Sequence, residues 1–497
     1  MDQPTDFKAA AAALKFETRA FINGKYAEAA SGKTFATINP ANGKVITNIS
    51  SCEMEDVDRA VVAARRAFEV GDWSRRSPAE RKKVLLKFAD LIEANMEELA
   101  LLETLDSGKP IRDARNVDLP DSIATLRWHA EATDKIYDQM SPAPHDVVSM
   151  IVREPIGVVG GVIPWNFPLF VAMWKLGPAL AGGNSLILKP AELTSLSLLR
   201  LAGLASAAGL PDGVFNVVPG LGHEAGKAIG MHNDIDCVSF TGSGEVGRYF
   251  LEYSAKSNMK KIVLECGGKS PAIVMDDVKD LGPVVENLAM GILFCQGENC
   301  SAGSRLIVQE GIKDRLLEEL KKHFAEWKVG DPFDQETKVG AMIEEKHLNK
   351  VLRLIDRGRK DGAKVSFGGD RVREETGGYF VEPTIFEGVT NDMMIAREEI
   401  FGPVLSVISV KTEEEAIKIA NDTNYGLASQ LYTDNLNVAH RVAKAIRAGT
   451  VSVNCFSEGD LAVPFGGYKE SGFGGRDKGL AAHDQYTEQK AIWIQLR

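Results

Sequence analysis

Cys295 and Cys300 stand five positions apart in the stretch FCQGENCSAGSR, residues 294–305. Cysteine serves as a metal ligand, a disulfide partner, an apolar filler or a nucleophile. The C-x4-C spacing has no second pair and no clustered histidines, which argues against zinc. Six cysteines scattered over the chain suit a reducing cytoplasm better than a disulfide framework. Cys295 follows the helical run MGILF and reads as buried filler. Cys300 lies among small polar residues, as in a turn lining a cleft, and an activated thiolate needs exposure and nearby donors. Cys300 is therefore the candidate nucleophile.

Other segments hold polar groups that could act beside it. In PWNFP, residues 164–168, Asn166 is held between prolines and aromatics. That is a rigid setting for an amide donating to a developing oxyanion, with a structural turn asparagine as the other reading. In LECGGKSP, residues 264–271, Glu265 ends an apolar strand. Burial there would raise its pKa and suit a general base; a salt bridge or helix cap is the alternative. GSGEVG, residues 242–247, matches G-x-G-x-x-G between strand CVSF and helix VGRYFLEYSA. Gly242 and Gly247 would let amides at a helix start hold a pyrophosphate, or simply make a tight turn. LILKPAE, residues 186–192, puts Lys189 and Glu192 just past a strand end. A carboxylate there accepts both hydroxyls of a ribose and repels a 2′-phosphate, favouring NAD over NADP, unless the two are a solvated pair at a helix start.

These residues need a frame. Apolar runs at 157–163, 185–188, 214–218, 237–240 and 261–264 alternate with helical segments near 168–181, 194–208, 222–230 and 245–256. Apolar runs without alternation predict strands covered on both faces, hence an α/β fold with a doubly wound parallel sheet. Such sheets bind ligands at the carboxyl ends of their strands. A second α/β region follows, with strands at 271–275, 305–308, 404–409 and 450–454 and helices near 280–293, 312–327, 413–421 and 436–446. VSMIVRE and the terminal AIWIQL read as strands that pair at a sheet edge or between subunits. Ala9 to Ala13 predicts a short N-terminal helix. SPAE, residues 77–80, predicts a capping box opening a helix that runs to about Leu105.

The uncharged run 156–174 imitates a membrane span, but Pro164, Pro168 and Asn166 make it a strand, a turn and a helix start. The N-terminus lacks a secretory pattern, so the expected location is the cytoplasm, with no membrane partner. A net charge of −11 argues against nucleic acid. The length of 497 residues predicts two or three domains.

Taken in order, PWNFP, LKPAE, FTGSGEVG, LECGGKSP, QGENCSAGSR, EEIFGPV and PFGGYKESG make the sequence resemble the aldehyde dehydrogenase superfamily, from about residue 20 onward. The resemblance implies an NAD(P)-binding domain over 1–136 and 156–264, a catalytic domain over 265–470, and a small β oligomerisation arm over 137–155 and 471–497. It also implies a homodimer or homotetramer. Cys300 would be the nucleophile, Glu265 the base for the hydrolytic water, and Asn166 with the Cys300 backbone amide the oxyanion hole. Lys189 and Glu192 would hold the adenine ribose of NAD and Glu399 the nicotinamide ribose. Trp165 and Ser243 would line the cofactor groove, with Phe401 packed by the nicotinamide. No metal is implied. The implied reaction oxidises an aldehyde to its carboxylic acid through a cysteine thiohemiacetal and a hydrolysed thioester. Cys295, Glu298 and Gly244 depart from the family pattern, which commonly has Asn, Gln and Thr there.

RAFINGKY, ALLETLDSGKPI, SNMKK and the tail GRDKGLAAHDQYTEQKAIWI are most similar to bacterial enzymes for γ-glutamyl-γ-aminobutyraldehyde and related ω-amino or guanidino aldehydes of polyamine breakdown. By the same resemblance Phe167, Val171, Trp174, Asn299, Ser301 and Phe465 would line a substrate tunnel, with the loop CFSEGD, residues 455–460, at its mouth. Glu458 and Asp460 would attract an ammonium or guanidinium group, or be a solvated acidic loop. The alternatives are a dehydrogenase for aliphatic or aromatic aldehydes, and a non-catalytic relative that keeps only the fold.

Overall fold

In the computed structural model, which describes residues 6–497, the strand Ser185–Lys189 is buried along its whole length. Leu186 and Leu188 enter one apolar cluster and Ile187 another, as a strand covered on both faces requires. Phe215–Val217, Ser185–Lys189, Val158–Val162, Cys237–Gly242 and Lys261–Cys266 are adjacent and parallel. Antiparallel edges complete eight strands: Ala20–Ile22 and Lys25–Ala27 on one side, Gly472–Phe473 on the other. Helices Pro78–Ala94, Leu119–Ala132, Pro168–Ala181 and Leu196–Ala208 bury their apolar faces in the first cluster. Met54–Glu69 and Gly244–Lys256 cover the opposite face. The doubly wound parallel sheet is thus present.

The second sheet has seven strands in the order Lys364–Phe367, Thr384–Glu387, Val404–Val410, Arg305–Gln309, Pro271–Val274, Ala428–Tyr432 and Thr450–Val453. All its pairings are parallel except the first. Ala428–Tyr432 is absent from the sequence reading because ASQLY interrupts its apolar run with Ser and Gln. The Tyr432 hydroxyl donates to Gln430 Oε1 at 2.8 Å inside the core, so the polar atom is satisfied where it is buried. The amphipathic helix Glu345–Lys360 was likewise not anticipated.

Val147–Pro155 and Thr487–Gln495 pair antiparallel over nine residue pairs, with Gln139–Met140 as the third strand. The segment 471–486, expected to belong to the arm, packs instead on the first sheet. Ser471 Oγ donates to the Gly267 carbonyl at 2.7 Å, Gly472 pairs with Glu265, and the Tyr486 carbonyl accepts the Asn184 amide at 3.0 Å. The helix expected to run unbroken to Leu105 is two helices, Pro78–Ala94 and Met96–Ser107. Asn95 separates them at φ −114° and ψ 19°, its side chain donating to the Leu91 carbonyl at 2.7 Å, a local bond that competes with helix continuation. The capping box at Ser77 and Glu80 is formed. The run 156–174 becomes the strand Val158–Val162 and the start of Pro168–Ala181. Among the described residues no helix is long and apolar enough to cross a membrane.

A Cβ on Gly449 would stand 1.7 Å from the Gly466 carbonyl oxygen, at the seam between the second sheet and the segment carrying Phe465. A backbone oxygen cannot swing aside as a flexible side chain does. Gly449→Ala is expected to lower the apparent unfolding temperature by several degrees in scanning calorimetry.

Candidate active site

Parallel register brings four strand ends together. Lys189 stands beside Val162, Val162 beside Phe240, and Thr241 beside Glu265. The ligand edge of the first sheet therefore carries Lys189, the turn with Trp165 and Asn166, the turn with Gly242 and Ser243, and Glu265. Cys300 arrives from the second region. Helix Gly282–Leu293 ends in a kink where Cys295 and Gln296 are left-handed, with φ 51° and 55°. The kink turns Cys295 into a buried cluster with Phe167, Trp174 and Phe465, its Sγ donating to the Asn166 carbonyl at 3.6 Å. Cys300 is left half-buried on a cavity of about 550 Å³.

That cavity brings together Cys300, Glu265, Asn166, Trp165, Gly242, Ser243, Glu399 and Phe401. Phe167, Val171, Trp174, Asn299, Glu458 and Asp460 share its wall. Five expected residues do not line it. Lys189 Nζ is 3.3 Å from Glu192 Oε2, a pair further along the strand edge. Gly247 packs on the sheet, where a Cβ would meet Cys266 Sγ at 3.2 Å. Ser301 spends its hydroxyl on Asn299 and Glu458. Phe465 is fully buried behind Trp174, ring centroids 5.1 Å apart. Asp121, Phe170, His347, Lys350 and Lys478 also line the cavity and were missed. Nothing in their local sequence marks them; only the packing of two helices and a late loop against the strand ends assembles them.

Glu265 is 3% exposed and its Oε1 has no hydrogen-bond partner among the described residues. Burial, reinforced by Asp477, pushes its carboxyl well above the usual range. Burial and then Glu458, Glu265 and Glu399 push the Cys300 thiol up. Glu458 thus bears on Cys300 as well as lining the cavity wall. Lys478 Nζ donates to the Glu458 and Gly459 carbonyls at 3.1 and 3.0 Å and sits 5.8 Å from the centre of the Trp174 ring. Asn166 Nδ2 donates to the Glu298 carbonyl at 2.8 Å, which fixes the amide plane.

The strand edge also fits a dinucleotide. Ser243 caps Gly244–Lys256 by accepting the Val246 N–H at 3.3 Å, which presents a helix start to a phosphate. Gly244 has open space where most residues are packed, its pseudo-Cβ no closer than 3.5 Å to any atom. Thr241 Oγ1 is buried without a partner. Glu399 accepts the Gly268 N–H at 2.9 Å, and the Trp165 and Phe401 rings meet edge-on at 5.2 Å.

Residues 26–492 match the aldehyde dehydrogenase family. The chain belongs to that family. It is 54% identical over 489 residues to the aminoacetaldehyde dehydrogenase of Pseudomonas aeruginosa, covering 98% of each chain. It is 49% identical to the NADP/NAD-dependent aldehyde dehydrogenase PuuC of Escherichia coli K12, covering 98% of this chain and 97% of that one. Among solved structures it superposes with TM-score 0.98 on the P. syringae indole-3-acetaldehyde dehydrogenase in complex with NAD+ and IAA, at 52% identity and 99% coverage of both chains. The chain is an NAD-dependent aldehyde dehydrogenase.

Two outcomes follow from this geometry. A methyl group on Gly267 would lie 2.1 Å from a Glu399 oxygen, so Gly267→Ala should displace that carboxylate and raise the NAD Kd about tenfold by titration calorimetry. Removing the Glu458 charge withdraws a group that holds the Cys300 thiol up. In Glu458→Gln the pH midpoint of Cys300 alkylation by iodoacetamide should therefore move to lower pH.

Proposed function

We propose that this enzyme oxidises aldehydes bearing a cationic group, such as ω-amino, guanidino or γ-glutamylamino aldehydes. The observation that carries the reading is that Asp121, Glu458 and Asp460 line the same cavity as Cys300. Carboxylates in a partly buried wall favour an ammonium or guanidinium through charge-assisted hydrogen bonds. The name of the P. aeruginosa relative is in keeping with it. A second reading, an aromatic or aliphatic aldehyde, draws on the rings of Phe167, Phe170, Trp174, Phe294 and Phe456 in the wall and on the indole-3-acetaldehyde relative.

In the proposed chemistry Glu265 or water takes the Cys300 proton and the thiolate attacks the aldehyde carbon. The resulting oxyanion is met by the Asn166 amide and the Cys300 backbone N–H. NAD, when bound, accepts the hydride. The cysteine then carries the acyl group as a thioester. Glu265 takes a proton from water, the hydroxide adds to the acyl carbon, and the thiolate leaves with the carboxylic acid released. Lys189 and Glu192 hold one ribose of the cofactor and Glu399 the other, while Ser243 and the Gly242 turn meet the phosphates. The first sheet is then the cofactor domain and the second the catalytic one. The strand Thr487–Gln495, with Trp493 62% and Ile494 44% exposed, is the surface for a second copy in a cytoplasmic dimer or tetramer.

Initial rates of NADH formation with 3-aminopropanal, 4-guanidinobutanal, γ-glutamyl-γ-aminobutyraldehyde, hexanal and phenylacetaldehyde test the substrate. The cationic members should show the highest kcat/KM, and a lead for hexanal or phenylacetaldehyde would transfer the assignment to the second reading. Cys300→Ala should abolish turnover with every aldehyde. Because burial raises the Glu265 carboxyl, its base form is gained as pH rises through that raised value, so kcat should climb with pH. Glu265→Gln should remove that limb and slow hydrolysis by about 10² or more.

A further inference from the structure

Glu298 and His347 have no part in the chemistry above, yet together they touch both ends of the reacting site. Glu298 is 1% exposed and lies two residues before Cys300. Its backbone carbonyl accepts the Asn166 amide at 2.8 Å. Its side chain bonds elsewhere: Oε1 accepts the Ile343 N–H at 2.9 Å and Oε2 accepts from the Gln296 amide at 3.3 Å. His347, in the first turn of Glu345–Lys360, brings Nε2 to 3.7 Å from Glu298 Oε1 and 2.7 Å from the Phe401 carbonyl. A carbonyl oxygen only accepts, so Nε2 carries the hydrogen and donates to Phe401.

Phe401 needs such a hold. Its φ of 60° is left-handed, a conformation that a bulky residue keeps only where its surroundings over-determine it. Trp165 closes the cluster, its ring 5.5 Å from His347 and 5.2 Å from Phe401.

We propose that Glu298 and His347 are a positioning pair that keeps the oxyanion donor and the nicotinamide side of the cavity in register. Glu298 sets the Asn166 amide through its carbonyl and seats His347 beside its side chain, and His347 fixes the strained Phe401 backbone. The proposal rests on the roles given above to Asn166 and Phe401.

Burial pushes the Glu298 carboxyl well above its usual range and lowers His347 to about 4, so burial opposes charge on both. Glutamine closely matches the Glu298 side chain in shape and keeps an acceptor oxygen for the Ile343 N–H.

The test uses full-length Glu298→Ala, Glu298→Gln, His347→Ala, His347→Gln and the double alanine variant. Three quantities are read: hydrogen–deuterium exchange across residues 398–404 without cofactor, NAD Kd by calorimetry, and kcat. His347→Ala should speed exchange across that segment and raise Kd about tenfold. His347→Gln, whose amide can donate to the Phe401 carbonyl, should restore both. Glu298→Gln should stay close to wild type where Glu298→Ala does not, and the double variant should be no worse than the poorer single one. Unchanged exchange and Kd in His347→Ala, a Glu298→Gln as impaired as Glu298→Ala, or additive losses would each overturn the pair. Asn166→Ala is measured alongside. If it keeps full kcat, the oxyanion assignment fails by itself, while exchange and Kd in the His347 variants still decide the pair.

Discussion

The hydrogen bond from the Asn166 amide to the Glu298 carbonyl at 2.8 Å helps to join the two bodies of this enzyme at the place where they must agree. Asn166 hangs from the strand Val158–Val162 of the first sheet, and Glu298 lies on the loop that delivers Cys300 from the second. Neither sheet by itself holds Cys300, Asn166 and the strand edge that carries Ser243 and Glu265. A shift of about 1 Å between them would misplace the reacting atoms by an amount that costs orders of magnitude in rate. The left-handed residues Cys295, Gln296 and Phe401 cluster at this junction, where strain is tolerated because packing leaves the backbone no alternative.

The second constraint is buried charge. Glu265, Glu298, Glu399 and Glu458 all lie out of water, and burial is the leading cause of the raised pKa in each. Four ionised carboxylates out of water would be costly, since desolvation penalises each. Their raised pKa values reflect that cost, because burial favours the uncharged form. Their environments then separate their roles. Glu399 and Glu298 are held by backbone N–H donors, whereas Glu265 Oε1 is unpartnered and so free to meet water.

The sequence made the parallel strand edge legible because four short apolar runs each end in a polar or glycine-marked turn. Ser185–Lys189 needed only its unbroken apolar run to be placed. Cys300 could be separated from Cys295 by its small polar neighbours, and the structure separates them by exposure: Cys295 is fully buried, whereas Cys300 is half-buried on the cavity. What stayed hidden depends on contacts between distant segments. Asp121 faces the cavity because its helix packs beside Pro168–Ala181, and His347 reaches Phe401 across 54 residues of chain. The place of 471–486 was not legible because its backbone finds partners on the first sheet, and no local pattern announces such a pairing. The extra helix break at Asn95 has a local cause, a side chain that bonds its own preceding turn, and was readable in principle.

At the substrate end two forces compete. A carboxylate bonded to an ammonium contributes about 1.5–3 kcal/mol, while each methylene buried against the aromatic wall contributes about 0.8 kcal/mol. A two- or three-carbon amino aldehyde has too little apolar surface for the wall to outweigh the charge, whereas an indole-sized ring buries enough area to reverse the balance. Lys478 bears on that competition, because it already occupies the acidic loop through the Glu458 and Gly459 carbonyls and lies over Trp174. By engaging backbone oxygens rather than the carboxylates, it anchors the loop and leaves Asp121 and Asp460 available. The cavity therefore keeps an excess of acceptors over cations, and the proposal of a short cationic aldehyde draws on that excess.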